Sequence, residues 1–387
     1  MSIPKLRFRA DDGSGFPEWE EKRLDEVVDF LDAQRKPLEA GERVAGPYPY
    51  YGASGIIDYV KDYIFDDELI LLSEDGANII DRNYRVAFLA KGKFWVNNHA
   101  HVLKAINGNV NYFICEELET FDYKKYNSGG AQPKLNQATC RLIMMHMPVI
   151  SEQQKITAFL STIDEIITTT QSELTVWEER KKGVMQKIFN REVRFKADDG
   201  SEFPEWEEKR LGELYQKNTE RNGNQFTKER TISISTMKYN SEGNGADEKS
   251  LPSYKVLRVG DIAFEGHENR EFAYGRFVLN DLGDGIMSPR FSCLRPIQPM
   301  INGFWKYYIH YEPIMRQILV RATKKGTMMH ELVYDDFYKQ TIKVPSLPEQ
   351  QKIADCLSSL DDVINQIQAE LSAWKEFKKG LLQQMFV

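Results

Sequence analysis

The sequence predicts an α+β protein in which two globular, strand-rich modules are joined by two long antiparallel helices with internal pseudo-twofold symmetry. Three observations lead to this prediction. The chain has 387 residues, which is enough for two domains of ordinary size. Two kinds of segment occur twice, almost unchanged, and the stretches between them have the short alternating runs of strands.

The repeated segments define a frame. RFRADDGSGFPEWEEKRL at residues 7–24 returns as RFKADDGSEFPEWEEKRL at residues 194–211. A second segment runs from Pro148 to Phe189 and returns from Pro345 to Phe386. Residues 25–147 and 215–344 show no alignable similarity to each other, so a constant frame carries two unlike modules. The predicted domains are 1–24 (lead-in repeat), 25–147 (first module), 148–190 (central long helix), 191–214 (second lead-in repeat), 215–344 (second module) and 345–387 (C-terminal long helix).

The second repeated segment has the pattern of a long amphipathic helix. Between Ser151 and Phe189 apolar residues recur at i, i+3, i+4 and i+7, and the second copy repeats the stripe. Ser151 with Gln154 indicates a capping box, and Pro348 fits the first turn of the second helix. Each helix would be about 58 Å long, so it would project beyond a small domain.

The apolar stripe of each helix needs a partner. The other copy is the natural one, because two equivalent units can close around a pseudo-twofold axis that packs their helices antiparallel. The alternative is that each helix packs only on its own domain. The residues expected in helix packing or partner contacts are Gln153, Gln154, Ile163, Trp177, Gln350, Gln351, Leu360 and Trp374.

Composition excludes several classes of protein. No apolar run approaches the length of a membrane span, and the N-terminal residues lack the apolar core of a signal peptide. The four cysteines are far apart and form no C-x-x-C pair, which fits a reducing cytoplasm. The net charge of −7 argues against a simple basic DNA-binding protein that acts alone.

Signatures of catalysis are missing. The sequence contains no P-loop, no dinucleotide-binding glycine motif, no G-x-S-x-G elbow and no H-E-x-x-H. It also lacks the Asn-Pro-Pro-aromatic or Asp-Pro-Pro-aromatic tetrapeptide of amino-methyltransferases. We therefore expect a non-catalytic binding or organising protein, without a cofactor and without a metal site.

Two polar clusters of the first module could contact DNA. Asn97, Asn98, His99 and His101 lie on a predicted strand and turn, and an asparagine amide can pair with adenine through two hydrogen bonds. A glycine-rich loop with Ser128, Gln132 and Lys134 could approach a phosphate closely. His99 and His101 could instead form a metal pair, but no third ligand is evident.

The second module has a comparable set. Lys324, Lys325 and Thr327 lie in a polar run, and the second basic set comprises Arg270, Tyr274, Arg276 and Arg290. A helix is predicted at residues 304–319. For both modules the simpler alternative is that these residues form a solvated loop or a capped turn.

Taken together, these features resemble the specificity subunit of type I restriction-modification systems. The resemblance covers essentially the whole chain and rests most on the two P-x-x-x-EQQKI segments, each leading into a long helix. The FPEWEEKRL segments agree with it, as do YYGASGIIDY at residues 50–59 and FWVNNHAH at residues 94–101. Neither module matches a known target by its residues, so no base-reading residue carries over.

The resemblance implies a division of labour. Each module would be a target-recognition domain that reads one half of a split, asymmetric sequence in double-stranded DNA. The two helices would be a spacer around which two modification (methyltransferase) subunits bind, and two restriction subunits can join. Two alternatives remain open at this stage: a coiled-coil scaffold that joins two protein partners without DNA, and an autonomous enzyme with an unrecognised site.

Overall fold

The computed structural model describes residues 4–130, 132–240, 242 and 247–386. The chain forms two compact units: unit 1 comprises Met1–Glu173 and Ile367–Val387, and unit 2 comprises Leu174–Gln366. Each unit contains one strand-rich module and parts of two long helices. The predicted α+β class is therefore confirmed.

Unit 1 is built on a six-stranded sheet of order β2-β7-β5-β6-β3-β4, in which only the β3–β6 pairing is parallel. Its described strands are β1 (Glu20–Arg23), β2 (Val28–Phe30), β3 (Ala45–Gly52), β4 (Gly55–Val60), β5 (Phe65–Ser73), β6 (Ala87–Val96), β7 (Ala100–Ala105) and β8 (Met144–Met147). Its helices are α1 (Leu24–Val27), α2 (Asn78–Asp81), α3 (Asn111–Thr120) and α4 (Gln137–Arg141). The first long helix, α5 (Ile150–Phe189), follows β8 and continues into unit 2.

The centre of this sheet explains the run LILL in the sequence. Ile70 and Leu72 pack into one apolar cluster, whereas Leu69 and Leu71 pack into another on the opposite face of β5. Successive side chains of a strand point to opposite faces, so a central strand covered on both sides is apolar throughout.

Unit 2 has a smaller four-stranded sheet of order β10-β17-β14-β15 and several two-stranded pairs. Its described strands are β9 (Glu207–Arg210), β10 (Tyr215–Lys217), β11 (Ile232–Ser233), β12 (Lys238–Tyr239), β13 (Lys255–Leu257), β14 (Ile262–Glu265), β15 (Arg276–Leu279), β16 (Gly285–Met287), β17 (Ser292–Pro296), β18 (Thr323–Lys325), β19 (His330–Leu332) and β20 (Thr341–Val344). Its helices are α6 (Leu211–Leu214), α7 (Asn302–Tyr308), α8 (Glu312–Ala322) and α9 (Tyr334–Lys339). The second long helix, α10 (Leu347–Met385), begins here and ends in unit 1.

Two local predictions are corrected. The helix predicted at residues 304–319 is two helices, α7 and α8, and Pro313 lies in the first turn of α8, where its missing N–H costs no helical hydrogen bond. The Ser151–Gln154 capping box is wrong, because α5 already begins at Ile150 and Gln154 is exposed.

The lead-in repeats are tied to the long helices. Strand β1 pairs antiparallel with β8, immediately before α5, and β9 pairs in the same way with β20 before α10. The guanidinium of Arg7 lies 2.7 Å from the buried carboxylate of Glu152, and that of Arg194 lies 2.9 Å from the carboxylate of Glu349. A change in one partner would leave a buried charge unpaired, so each lead-in has to match its helix.

The long helices contact each other within each unit, as predicted. In unit 1 the Nζ of Lys378 on α10 lies 2.6 Å from Asp164 on α5, and Lys375 reaches Gln171 at 3.4 Å. The residue number rises on one helix as it falls on the other, so this part of the pair is antiparallel. In unit 2 the Nζ of Lys181 on α5 lies 2.5 Å from Asp361 on α10.

Candidate nucleic-acid interface

Three loops of the first module meet at one edge of its sheet. The backbone N–H of Glu74 donates to the carbonyl of His99 at 2.9 Å, and that of Leu135 donates to the carbonyl of Glu74 at 2.7 Å. The N–H of Gly76 donates to Pro133 at 3.0 Å. The structure therefore brings the two predicted DNA-contacting clusters of this module together, through residues 74–76. We call this surface the first reading edge. Ala131, inside the glycine-rich loop, lies outside the described residues.

Most of the predicted residues at the first reading edge are accessible. The exposed ones are Asn98, His99, Ser128, Gln132 and Lys134. Their side chains offer hydrogen-bond donors and acceptors and one cation, which are the groups needed at base edges and phosphates.

Local contacts hold these side chains in place. The carboxylate of Asp75 lies 2.9 Å from Nδ1 of His99, and Glu74 lies 3.4 Å from Nζ of Lys134. The hydroxyl of Ser128 donates to the carbonyl of Lys134 at 3.0 Å and closes the glycine-rich loop. The edge is thus a set of loops fixed by polar contacts.

Two predicted residues lie behind the edge instead of on it. Asn97 is 5% exposed, and its side-chain oxygen accepts a hydrogen bond from the N–H of His99 at 2.8 Å. His101 is 1% exposed, with Nδ1 at 2.7 Å from Asp32 and Nε2 at 2.8 Å from the carbonyl of Leu135. In this arrangement His101 presents no free ring edge to DNA, because it lies on the inward face of β7 while His99 lies in the preceding turn.

The surroundings of His101 favour its charged form. Burial disfavours the imidazolium, but hydrogen bonds to Asp32 and to Cys140 outweigh it and raise the pKa of His101 to about 10. Burial alone would raise the pKa of Asp32, yet the hydrogen bond from His101 lowers it. Within the described ranges, no group of three or more His, Cys, Asp or Glu side chains is placed to hold a metal ion.

Sequence reasoning missed four charged residues at this edge. They are Asp32, Arg35, Glu74 and Asp75. They come from a short turn after β2 and from the loop after β5, far from the predicted clusters in the sequence. Only the pairing of β2 and β5 with β7 brings them beside residues 97–101.

In the second module a hairpin supplies the corresponding surface. Strands β18 and β19 pair, and the N–H of His330 donates to the carbonyl of Gly266 at 2.7 Å. The ring of Tyr274 lies 5.7 Å from that of His330, and Arg290 lies 3.9 Å from the sulfur of Met328 at the hairpin tip. The hairpin, the loop after β14 and Arg290 therefore meet, and we call this surface the second reading edge.

The predicted residues of the second module differ in their exposure and in their ion pairs. Arg276 is half-buried and pairs with Glu265 at 2.7 Å, and Lys324 pairs with Glu331 at 3.2 Å. Arg270 and Lys325 are exposed, and neither makes an ion pair with a residue that the structure describes. Thr327 is exposed at the hairpin tip.

Arg290 occupies a distinctive position at the second reading edge. It lines two open clefts, one of about 350 Å³ with Ser233, Glu265 and His267, and one of about 450 Å³ with Thr327. An exposed guanidinium can bind O6 and N7 of guanine through two parallel hydrogen bonds. Its place between two clefts leaves room for a base edge on either side.

The residues predicted for helix packing divide into two groups. Ile163 is buried, Gln153 and Gln350 are buried at the helix starts, and each glutamine amide donates at 2.9 Å to the carbonyl of Pro148 or Pro345. Trp374 and Leu360 are partly buried and pack against the apolar cores of unit 1 and unit 2, respectively. Gln154 and Gln351 are exposed, and Trp177 is partly exposed. The guanidinium of Arg180 lies over the ring of Trp177 at 4.8 Å.

Comparisons with known proteins agree with this organisation. The sequence model of the family described as "type I restriction modification DNA specificity domain" matches residues 17–176 and again residues 204–373. Each match contains one module with the start of its long helix. The family domain is therefore present twice, as the internal repeat indicates.

Two curated relatives illustrate how similarity is distributed. A putative type I restriction enzyme specificity subunit of Haemophilus influenzae is 36% identical over 146 residues, which are 38% of this chain and 37% of that protein. The MjaVIII specificity subunit of a type I restriction enzyme from Methanocaldococcus jannaschii is 24% identical over 407 residues, which cover 97% of this chain and 94% of that protein.

A solved structure shares the fold. The crystal structure of the S subunit of a type I restriction-modification system from M. genitalium superposes with a TM-score of 0.63 and covers 100% of this chain and 99% of that one. The sequence identity is 14%, so this match supports the fold and not the choice of target.

Proposed function

This chain belongs to the family of type I restriction-modification DNA specificity subunits, and we propose that each of its two modules reads one half of a bipartite, asymmetric DNA target. The chain is a non-catalytic subunit whose function is DNA specificity. Family membership thus decides in favour of DNA recognition over the scaffold and enzyme alternatives.

One observation carries the proposal of two half-sites: the frame is repeated and the modules are not. The first module places a turn and a glycine-rich loop at its reading edge, whereas the second places a hairpin and Arg290 there. Different donors and acceptors in the major groove read different bases. Two unlike reading edges therefore fit an asymmetric target.

The domain boundaries follow from the same proposal. Residues 25–147 and 215–344 act as the two target-recognition domains, and residues 148–190 and 345–387 act as the spacer. Helices α5 and α10 have 40 and 39 residues, or about 60 Å each. One turn of B-DNA is about 34–36 Å long, so a spacer of this length suits half-sites separated by a gap.

The proposed partners are double-stranded DNA and two modification (methyltransferase) subunits that dock on the spacer helices. Two restriction subunits can join these in a nuclease form of the complex, and the proposed location is the cytoplasm. The net charge of −7 supports partners that supply much of the phosphate contact. Among the described residues no helix is long and apolar enough to span a membrane.

A module exchange tests the two-reader proposal. The full chain, expressed with its modification subunit, would have residues 215–344 replaced by the second module of another member of the family. We expect the methylated motif, read by sequencing the modified bases of the host DNA, to change in one half only. The matched control exchanges residues 25–147 and should change the other half. A change in both halves after either exchange would contradict the proposal.

A further inference from the structure

We propose that a buried charge network of Asp32, Arg35, Glu74 and His101 positions the first reading edge and so determines how well one half-site is discriminated. We call these four residues the buried network. The inference rests on the proposed function, because it assumes that the first module reads a half-site. It concerns residues that lie behind the edge and act through the backbone of its loops.

Arg35 holds the turn that presents Asn98 and His99. Its Nη1 donates to the carbonyl of Ala100 at 2.7 Å and to that of Asn98 at 3.4 Å, on either side of His99. The same nitrogen lies 2.7 Å from the carboxylate of Glu74. One guanidinium therefore fixes the turn and the loop after β5 together.

His101 and Asp32 hold the second loop. Nε2 of His101 lies 2.8 Å from the carbonyl of Leu135, the residue that follows Lys134. Asp32 faces Nδ1 of His101 at 2.7 Å, accepts the N–H of Val102 at 2.9 Å, and accepts the side-chain amide of Gln137 at 2.8 Å. The pKa of His101 is raised to about 10 despite its burial, so at neutral pH both ring nitrogens carry protons and donate.

The buried network is balanced in charge. Two carboxylates face one guanidinium and one imidazolium, and the side chains of all four are at most 14% exposed. Such a group adds little to the long-range attraction of phosphate, which depends on accessible cations. Its effect should appear in the placing of donors at base edges, where a hydrogen bond weakens steeply with distance and angle.

The experiment measures discrimination separately at the two half-sites. Asp32→Asn and Arg35→Lys would be made in the full chain, and each variant assembled with its modification subunit. Methylation rates would be compared on three duplexes: the intact target, one with a single mismatch in the first module's half-site, and one with a mismatch in the other. A mismatched pair normally costs about 1–3 kcal/mol, or about 5- to 150-fold in binding.

We expect Asp32→Asn to reduce discrimination at the first module's half-site by about tenfold and to leave the other half-site unchanged. Arg35→Lys keeps the charge but loses the separate Nε donor, which lies 3.2 Å from the carbonyl of Asp32, so its effect should be intermediate. The matched control is Asp67→Asn, which removes a carboxylate from the same sheet where it pairs with Lys104 at 2.5 Å, outside the reading edge. This control should discriminate as the wild type does.

Two results would overturn the inference. In the first, folded Asp32→Asn and Arg35→Lys proteins keep wild-type discrimination at both half-sites. In the second, discrimination falls equally at both, which would mean a general defect of the complex. If Asp32→Asn does not fold, Arg35→Lys alone decides by the same criteria. The exchange of residues 215–344 leaves these four residues unchanged, so a failure of the two-reader proposal in that exchange can be told apart from a failure of this inference.

Discussion

At the residue scale, two neighbouring histidines of one segment differ in whether solvent can reach them. His99 and His101 are two residues apart, yet the first is exposed in a turn and the second is 1% exposed beneath it. The sequence correctly indicates a cluster of polar side chains at residues 97–101. It does not reveal which histidine faces inward, because that depends on the pairing of β7 with β5.

The raised pKa of His101 gives a prediction about stability. Its folded pKa of about 10 lies above the usual value of 6.5, so its contribution is complete below about pH 6.5 and is lost as the pH rises through about 10. Three titratable side chains face the ring of His101: Asp32 from the turn after β2, Glu74 from the loop after β5, and Cys140 from α4. Although burial opposes it, the hydrogen bond from His101 lowers the pKa of Asp32, so Asp32 stays charged throughout this range.

We therefore expect wild type and His101→Gln to differ most near pH 6 and to converge near pH 10. The difference in unfolding free energy at pH 6 should be about 2 kcal/mol, as is usual for hydrogen bonds to a charged group. Denaturant unfolding at pH 6, 8 and 10 measures it. A difference that is independent of pH would show that the ring acts by packing alone.

At the element scale, each unit joins its two long helices through a lysine, an aspartate and a tyrosine. In unit 1 Lys378 on α10 and Tyr112 on α3 both contact Asp164 on α5, at 2.6 and 2.5 Å. In unit 2 Lys181 on α5 and Tyr307 on α7 both contact Asp361 on α10, at 2.5 Å each. Both lysines are the first residue of a KKG sequence, so the repeat already contained this signal.

The periodicity of apolar residues predicted both long helices to within a few residues, because it extends over ten turns. Short elements were harder. Helices α7 and α8 were predicted as one, since the pattern continues across residues 309–311 and only Pro313 indicates the break. The strands of unit 2 are two to five residues long, too short for alternation to give a reliable register.

The lysine contacts predict a coupling between the helices. A double-mutant cycle with Lys378→Ala and Asp164→Ala should give a coupling energy of about 1 kcal/mol, measured by denaturant unfolding. The figure is kept low because the Asp164 side chain is 36% exposed and solvent screens the pair. The control cycle pairs Asp164→Ala with Lys379→Ala, the exposed neighbour, and should be additive. Equal coupling in the two cycles would contradict a specific contact.

At the scale of the whole molecule, contacts within the frame explain why the frame is repeated while the modules differ. The lead-in repeats and the long helices bind each other through the ion pairs Arg7–Glu152 and Arg194–Glu349, and each lead-in strand pairs with the last strand of its module, β8 or β20. The two modules are not required to match each other in this way, so outside these last strands they are free to differ. The sequence alone supports this contrast, since it follows from comparing the chain with itself. What it does not give is the set of residues at each reading edge, which come together only in the folded module.

If α5 and α10 act as a spacer, lengthening both should widen the gap of the DNA target. Four residues inserted after Thr170 in α5 and four after Gln366 in α10 add about 6 Å, or about two base pairs of B-DNA. Both insertions lie between the Asp164–Lys378 and Lys181–Asp361 contacts, so these two ion pairs keep their partners, and only the 3.4 Å contact between Lys375 and Gln171 is displaced. An insertion in α5 alone moves one pair out of register by a turn. We therefore expect the double insertion to methylate a motif with a gap about two base pairs longer, and the single insertion to lose most activity. Sequencing of modified bases checks both, and an unchanged gap in an active double insertion would mean that the helices do not set the spacing.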